Sequence, residues 1–372
     1  MSGIYLHIPF CRKRCTYCDF HFSTTFESYR ADLLAAMMQE LGLRTNELKE
    51  PVQTIYFGGG TPSLLSPKEL AAILQQINAN YQVSTTAEIT LEANPEDINQ
   101  EQLEAWKQLG INRLSIGIQT LSSETLNWMN RAHAVHEGLT AIQLAQQLGF
   151  SNISIDLIYG LPGLDIATWK ETLQKVFQLG IQHLSAYCLT VEPKTALNHL
   201  VQKKKLQPAD EVLQNEQFLV LIDLAKQAGF EQYEISNFAR PGLHSKHNSS
   251  YWAFKPYLGV GPSAHSFDGQ KRRWNVRNNT QYTRSVGKND NWFEWENLTP
   301  NERRNEQILL GLRTKWGLNA AALEAPWSQK ENAQIEEFAR LGWLTFEDQH
   351  LILTDKGKLH ADGIAAELFR VD

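Results

Sequence analysis

The residues best suited to chemistry are three cysteines close to the start of the chain. Cys11, Cys15 and Cys18 have the spacing C-x3-C-x2-C. Thiolates this close together are typical ligands of soft metals and of iron–sulfur clusters. The spacing therefore predicts a metal centre. This is either an iron–sulfur cluster or a structural zinc ion that His21 would complete.

A second group of candidate residues follows strand-like runs further along the chain. The segment Gly58-Gly59-Gly60-Thr61-Pro62 comes after one such run, and its glycines leave backbone N–H and C=O groups accessible. Polar side chains inside a barrel cost free energy unless they are paired, and active sites of barrels gather at the carboxyl ends of the strands. Arg131 adds a guanidinium that fits a carboxylate. The polar residues in the later runs, which we expect at the same rim, are Glu92, Gln119 and Asp156.

Short β-branched or aromatic runs alternate with helical stretches along much of the chain. The strand-like runs begin near Ile4, Thr54, Glu88, Arg113, Asn152 and His183. Helices are predicted over residues 28–48, 67–78, 100–109, 136–148 and 166–179. Such alternation is typical of parallel strands joined by helices. The pattern alone fits both a barrel and a doubly wound open sheet.

The remaining sequence divides into two further parts. After a helix predicted over 209–229 and a strand over 232–238, residues 239–299 lack clear periodicity, and we expect an irregular, ligand-facing segment there. Residues 300–372 have the order helix, helix, two strands, short helix, which resembles a winged helix. That part contains 9 Lys and Arg against 12 Asp and Glu, so a nucleic-acid-binding face is not expected. The predicted domains are therefore 1–238, 239–299 and 300–372.

Composition narrows the class of protein. Of the 372 residues, 42% are hydrophobic and 20% are charged, with a net charge of -6, which predicts a folded protein that does not generally bind nucleic acid. No apolar run reaches the ~18 residues of a transmembrane helix. The first residues lack the basic and apolar segments of a secretory signal, so we expect a cytoplasmic protein.

The cysteine spacing, with Tyr17 before the last cysteine, resembles the radical S-adenosylmethionine (SAM) superfamily. The resemblance implies an incomplete (β/α)6 barrel in which Cys11, Cys15 and Cys18 bind a 4Fe–4S cluster. One iron would then be left open for SAM. It further implies that the residues in contact with SAM are Tyr5, Tyr17, Gly59, Gly60, Thr61, Glu92, Gln119, Arg131 and Asp156.

Two segments narrow the resemblance to the coproporphyrinogen-III-oxidase-like branch: residues 4–11, IYLHIPFC, and the GGGTP segment. The oxidases of this branch resemble C-x3-C-x2-C-x-C and carry an extension before their first strand. Here Phe20 takes the place of the fourth cysteine, and the first strand begins at Ile4. HemW-type haem chaperones resemble C-x3-C-x2-C-x-F instead and carry an H-N-x-x-Y-W motif. In this chain the motif residues, which the resemblance assigns to haem, are His247, Asn248, Tyr251 and Trp252.

The resemblance implies a haem chaperone that holds a 4Fe–4S cluster and SAM. It would pass haem to apo-haemoproteins, such as respiratory enzymes near the membrane. His247 would ligate the haem iron, as neutral imidazoles commonly do. The alternative is an oxygen-independent coproporphyrinogen III oxidase, and a zinc-stabilised interaction module is a third hypothesis. A homodimer is one arrangement that the cluster could support. Cys188 is expected to be a buried core residue.

Overall fold

The protein folds around a mixed sheet of twelve strands. The structure is a computed structural model that describes residues 2–288 and 291–371, so the first residue of predicted domain 1–238 and the last of 300–372 lie outside the described residues. Six neighbouring strands run parallel in chain order. They are β1 (Ser2–Ile8), β2 (Val52–Gly59), β3 (Val83–Ala93), β4 (Arg113–Gln119), β5 (Ile153–Tyr159) and β6 (His183–Cys188).

Helices connect these strands, which confirms the predicted alternation. They are α1 (Arg30–Leu43), α2 (Pro67–Asn80), α3 (Gln100–Gln108), α4 (Ser123–Trp128), α5 (Val135–Gln147) and α6 (Ile166–Gln178). The start of α2 shows how local sequence fixes an element. The Ser66 side chain accepts the N–H of Glu69, and the Glu69 carboxylate accepts the N–H of Ser66. The six-residue helix α4 was not predicted, because it is too short to show a helical period.

An antiparallel hairpin extends the sheet beyond β6. The connection consists of α7 (Ala196–Gln202) and α8 (Glu211–Gln227), and the hairpin of β7 (Glu231–Glu234) and β8 (Asn237–Ala239). Strand β8 pairs with β6, and β7 forms the edge. The sequence predicted one strand over 232–238. The structure has two short strands there, β7 and β8, joined by a turn.

The middle segment, 239–299, is more regular than its sequence suggested. It contains α9 (Lys246–Trp252), β9 (Tyr257–Val260), β10 (His265–Phe267), β11 (Lys271–Asn275), α10 (Asn279–Ser285) and β12 (Phe293–Asn297). Strand β9 lies parallel to β1, with Gly3 beside Tyr257, and the other three strands continue the same sheet to its second edge. Strands of three to five residues are too short for their alternation to be recognised in sequence.

The two edge strands of this sheet, β7 and β12, are not paired with each other. Among the described residues the sheet is therefore not closed, which agrees with the incomplete barrel that the resemblance implied. Its core is built by apolar side chains of the parallel strands and of the helices that cover them, for example Leu6 on β1, Leu33 on α1 and Trp106 on α3. This arrangement brings the carboxyl ends of six strands to one rim.

The C-terminal part forms a small α+β unit with its own three-stranded sheet. Its elements are α11 (Pro300–Leu312), β13 (Leu318–Asn319), α12 (Gln329–Arg340), β14 (Leu344–Glu347), β15 (His350–Leu353), α13 (Asp355–Lys358) and α14 (Ala361–Glu367). Ile308 and Leu312 pack with Leu351 in a separate hydrophobic cluster. The predicted order of helices and strands is confirmed, whereas the domain boundaries stay a prediction. Among the helices of residues 2–288 and 291–371, none has the length and apolar character needed to cross a bilayer.

Candidate functional site

A cavity of about 400 Å³, here called the cofactor cavity, lies at the carboxyl ends of the parallel strands. Its walls include the cysteine loop (residues 11–23), the glycine segment (residues 58–62) and the ends of β3 to β6. Most of the predicted site residues therefore converge there. Those that line the cavity are Cys11, Cys15, Tyr17, Cys18, Gly59, Gly60, Thr61, Glu92, Gln119, Arg131 and Asp156.

Backbone hydrogen bonds fix the cysteine loop. The N–H of Cys11 donates to the carbonyl of Ser23 at 3.0 Å, which closes the loop at its base. At its middle, the N–H of Thr16 donates to the carbonyl of Met129 at 3.1 Å, and the carbonyl of Thr16 accepts the N–H of Leu197 at 2.8 Å. Because these partners lie on connections after β4 and β6, the loop is attached to distant parts of the barrel rim.

The three thiols have surroundings that suit metal binding. Burial raises the pKa of Cys11 to about 11 and that of Cys18 to about 12, so a metal must displace their protons. The Thr61 hydroxyl donates to the Cys11 sulfur at 3.5 Å, and the Arg131 guanidinium donates to the Cys15 sulfur at 3.6 Å. Both donors stabilise thiolate. Within residues 2–288 and 291–371, no three His, Cys, Asp or Glu side chains converge as ligands of a single ion. In a 4Fe–4S cluster each thiolate binds a separate iron, so the cluster does not need three ligands around one ion.

The glycine segment forms a cradle that side chains would fill. A Cβ on Gly60 would come within 2.7 Å of the Phe10 carbonyl oxygen, and Gly59 has a φ of +108°, which side chains rarely adopt. The N–H of Gly59 donates to the Glu92 carboxylate at 3.2 Å. The segment thus presents backbone groups to the cavity beside a carboxylate, which fits recognition of an amino group.

Two of the carboxyl groups in the cavity wall, Glu92 and Asp156, have pKa values that burial raises. Burial raises the pKa of Glu92 to about 7, and the charge of Asp156 contributes in the same direction. Burial likewise raises the pKa of Asp156 to about 6. The Tyr56 hydroxyl donates to Glu92 at 2.8 Å, and the Ser115 hydroxyl donates to Asp156 at 3.2 Å. Carboxyls that titrate near neutrality inside a cavity are typical of functional sites.

Arg131 is held between two strand ends. Its Nη2 donates to the Asn94 side-chain oxygen at 2.7 Å and to the Gly117 carbonyl at 2.8 Å. Its Nε is buried and has no hydrogen-bond partner among the described residues. Beside it, Gln119 has a φ of 67°, a left-handed conformation that few non-glycine residues adopt. An unpaired buried guanidinium nitrogen can donate to a bound carboxylate.

The predicted haem motif lies outside the cofactor cavity but close to it, because the His247 ring stacks on Tyr56, whose hydroxyl donates to Glu92 in the cavity wall. The His247 ring is 1% exposed; its Nδ1 shares a hydrogen bond of 2.7 Å with the Thr54 hydroxyl, and its Nε2 shares one of 2.7 Å with the Tyr251 hydroxyl. Both ring nitrogens are therefore engaged, and iron could bind only after one hydrogen bond is released. The role of His247 as the axial ligand stays a prediction.

Three further predicted residues lie outside the cavity wall. The backbone N–H of Asn248 donates to the Ser245 hydroxyl, and the Arg313 guanidinium lies 5.6 Å from the centre of the Trp252 ring. The Tyr5 hydroxyl shares a hydrogen bond of 3.1 Å with the His7 ring. The structure does not bring Asn248, Tyr251, Trp252 or Tyr5 to the cofactor cavity.

The cavity also contains residues that the sequence analysis missed. Asn94 accepts from Arg131 and donates to the Thr61 hydroxyl at 3.3 Å. Tyr187 and Cys188, at the carboxyl end of β6, line the wall, and Cys188 is half-buried instead of lying in the core. Their position at a strand end is the same signal that identified Glu92 and could have revealed them.

Comparison with known proteins first defines the class of the protein. Residues 5–176 match the model of the Radical SAM superfamily, and residues 298–360 match that of the HemN C-terminal domain. The solved structure of coproporphyrinogen III oxidase (HemN) from Escherichia coli superposes with a TM-score of 0.84 at 24% identity, over 99% of this chain and 90% of that one. The chain therefore has the radical SAM fold of HemN, including the small C-terminal domain.

Full-length relatives then define the family. The heme chaperone HemW of Bacillus subtilis is 33% identical over 96% of this chain and 97% of its own length. The protein of the same name from Mycobacterium tuberculosis is 35% identical over 98% of this chain and 94% of its own length. The chain belongs to the HemW family of heme chaperones within the radical SAM superfamily.

Proposed function

We propose that the protein is a haem chaperone that binds haem and transfers it to apo-haemoproteins. In this proposal it holds a 4Fe–4S cluster and SAM in the cofactor cavity. The supporting observation is the convergence of three cysteines, a glycine cradle and polar strand ends on one cavity, in a chain whose full-length relatives are named heme chaperones.

The residues of the cavity fit both cofactors. Cys11, Cys15 and Cys18 would ligate the cluster, whose open iron supplies a Lewis-acidic and redox-active position when SAM is bound. The glycine segment and Glu92 would receive the amino group of SAM. Its carboxylate would accept from Arg131, whose Nε is unpaired among the described residues. The remaining predicted contacts, Tyr5, Tyr17, Gln119 and Asp156, are proposed for SAM on the resemblance alone.

Phe20 supports the chaperone over the oxidase. It occupies the position two residues after Cys18, where the resemblance places a fourth cysteine in coproporphyrinogen oxidases. A phenylalanine can neither ligate a metal nor carry a proton. Oxidative decarboxylation of coproporphyrinogen III stays the alternative function, and whether the protein is an enzyme stays open to the assay below.

The proposal predicts haem binding by the anaerobically reconstituted protein. Titration with haem, followed by absorbance, should saturate at one haem per chain. Incubation of the reduced protein with SAM and coproporphyrinogen III should yield no protoporphyrinogen. Decarboxylation at enzymatic rates without haem binding would establish the alternative instead. A colourless protein without iron after anaerobic purification would favour the zinc module.

Further predictions concern partners and place. We propose that the recipients are apo-haemoproteins such as respiratory enzymes at the membrane. The cytoplasmic location and the homodimer stay predictions. Crosslinking of the reconstituted protein to a membrane fraction rich in respiratory apo-enzymes would test whether these enzymes are the recipients.

A further inference from the structure

A second cleft lies on the outer side of the cysteine loop. Its volume is about 640 Å³, and we call it the outer cleft. Its walls are the cysteine loop with Thr24 and Thr25, the connection 192–195 after β6, and Arg277 between β11 and α10. Cys18 lines both this cleft and the cofactor cavity, so the cysteine loop separates the two spaces.

Three cations converge on the outer cleft from separate parts of the chain: Arg14, Lys194 and Arg277. In the part of the chain that the structure describes, none of them forms an ion pair with a carboxylate. Arg14 donates to the Lys194 carbonyl at 3.4 Å, and Arg277 donates to the Asp19 carbonyl. These bonds hold the guanidinium groups in the cleft without neutralising them. Lys194 has a φ of 67°, which is a strained backbone conformation.

The outer cleft also contains two carboxylates, and its three cations outnumber them by one. Asp19 and Glu192 line the outer cleft but also line the cofactor cavity, whereas the three cations line only the outer cleft. A net positive wall therefore faces the outer cleft. It suits a ligand with more than one carboxylate.

An exposed aromatic side chain completes the cleft. Phe20, which lines the cofactor cavity as well, is 67% exposed although it is large and apolar, and Phe22 and Pro193 lie in the wall of the outer cleft alone. Phenylalanine is usually buried, and an exposed aromatic wall beside charged groups marks a binding surface. It offers a flat apolar face to a planar ligand. A simple phosphate would satisfy the cations but would leave this face uncovered.

We propose that the outer cleft binds haem, with the porphyrin plane against Phe20 and the propionates at Arg14, Lys194 and Arg277. This assignment rests on the proposed function, because it names the place where the cargo binds. A planar apolar ring with two carboxylates matches an aromatic wall beside unpaired cations. Haem and the cluster then lie on opposite sides of one loop, since Cys18 lines both spaces.

The test is a haem titration of the full-length, anaerobically reconstituted protein and of the double variant Arg14→Gln/Arg277→Gln. The variant should bind haem about tenfold more weakly, since it loses charged donors to carboxylates. The matched control, Lys330→Gln/Arg340→Gln, removes two positive charges from α12 and should bind haem like the wild type. Unchanged affinity of the Arg14→Gln/Arg277→Gln variant would overturn the proposal while leaving haem binding intact. No haem binding by the wild type would instead refute the proposed function.

Two additions keep the test decisive. Haem dimethyl ester lacks the free carboxylates, so it should bind the wild type and the double variant with equal affinity. If the wild type instead binds haem and the ester with the same affinity, the site does not depend on the cations and the proposal is wrong. Arg14 lies in the cysteine loop, so its substitution could also reduce the iron content. In that case the variant to use is Lys194→Gln, because Lys194 lies in the connection 192–195 on the opposite wall. This variant should weaken haem binding several-fold. Weaker haem binding by His247→Ala with no effect of Lys194→Gln would place haem at the H-N-x-x-Y-W motif and overturn the assignment.

Discussion

At the scale of single residues, Glu92 and Asp156 have the clearest chemical signature. Burial raises the pKa of Glu92 to about 7 and that of Asp156 to about 6. Since both values are raised, both groups are neutral in mild acid and become charged between pH 6 and 7. SAM carries a sulfonium and an ammonium group, so it should prefer the ionised carboxylates.

The affinity for SAM should therefore increase from pH 5.5 to 7.5, by on the order of tenfold. Equilibrium dialysis with labelled SAM over this range measures the effect on reconstituted protein. The isosteric variant Glu92→Gln should show weaker binding and a flatter profile, because one titrating group is removed. A wild-type profile that is flat, or one that Glu92→Gln leaves unchanged, would rule out this role.

Asp97 ties the cysteine loop to the neighbouring turns. Arg12 donates to its carboxylate through Nε at 3.1 Å and Nη2 at 2.9 Å, and the Ser63 hydroxyl donates at 2.7 Å. Arg12 follows Cys11 directly, and Ser63 follows the glycine segment. The buried carboxylate therefore couples the two segments that we assign to the cluster and to SAM.

Asp97→Asn should shorten the lifetime of the cluster on the order of fivefold, since the charged hydrogen bonds to Arg12 are lost. The measurement is the decay of visible absorbance when a chelator is added to the reconstituted protein. Asp223→Asn is the matched control, because Asp223 is exposed on α8 and accepts a hydrogen bond from Gln227. Equal decay in both variants would show that Asp97 does not position the loop.

At the scale of elements, helix α9 is attached to the amino ends of the first strands. His247 reaches Thr54 on β2, and the Glu88 carboxylate on β3 accepts the N–H groups of Lys246 and His247 at 3.2 and 3.1 Å. The His247 ring also stacks on Tyr56, with ring centres 5.0 Å apart. The conspicuous histidine of the motif therefore joins a short helix to the sheet.

His247→Ala should lower the free energy of unfolding by about 2 kcal/mol, because Thr54 and Tyr251 lose a buried hydrogen-bond partner. Urea denaturation of the protein without cofactors measures this directly. His136→Ala is the control: His136 is exposed on α5, and its loss should change stability by less than about 0.5 kcal/mol. Equal stability of the two variants would mean that His247 does not anchor α9 and is free for another role.

The elements also show what sequence can reveal about this fold. Strands β1 to β6 and their helices were predictable, because their alternation and terminal glycines are local signals. The middle segment was not, since β9 finds its partner in β1, some 250 residues earlier, and its strands are three to five residues long. Pairing over such a distance leaves no local trace in the sequence.

The candidate site likewise has a part that the sequence could reveal and a part that it could not. The cysteine spacing and the GGGTP segment are local, and the structure brings them together with Glu92 and Asp156. The hydrogen bonds from Arg12 to Asp97 depend on tertiary packing, and no spacing could reveal them. The burial of His247 is also tertiary, and it shows that a motif can mark a family without lying at an open surface.

At the scale of the whole molecule, the cysteine loop separates two spaces with different chemistry. All three thiols of the motif line the cofactor cavity, whereas Arg14, Lys194 and Arg277 line only the outer cleft. A protein arranged in this way can hold a cargo without placing it at the cluster. Serine substitution of Cys11, Cys15 and Cys18 should abolish iron binding, which iron content per chain measures directly.

Direct transfer of haem tests the central claim most closely. The haem-loaded, reconstituted protein is mixed with an apo-cytochrome of the respiratory chain, and apomyoglobin serves as a passive acceptor. The account predicts a transfer rate that rises with apo-cytochrome concentration and exceeds the rate to apomyoglobin, because the chaperone hands haem over by contact. A single rate that is the same for both acceptors and independent of their concentration would show passive release and would contradict the account.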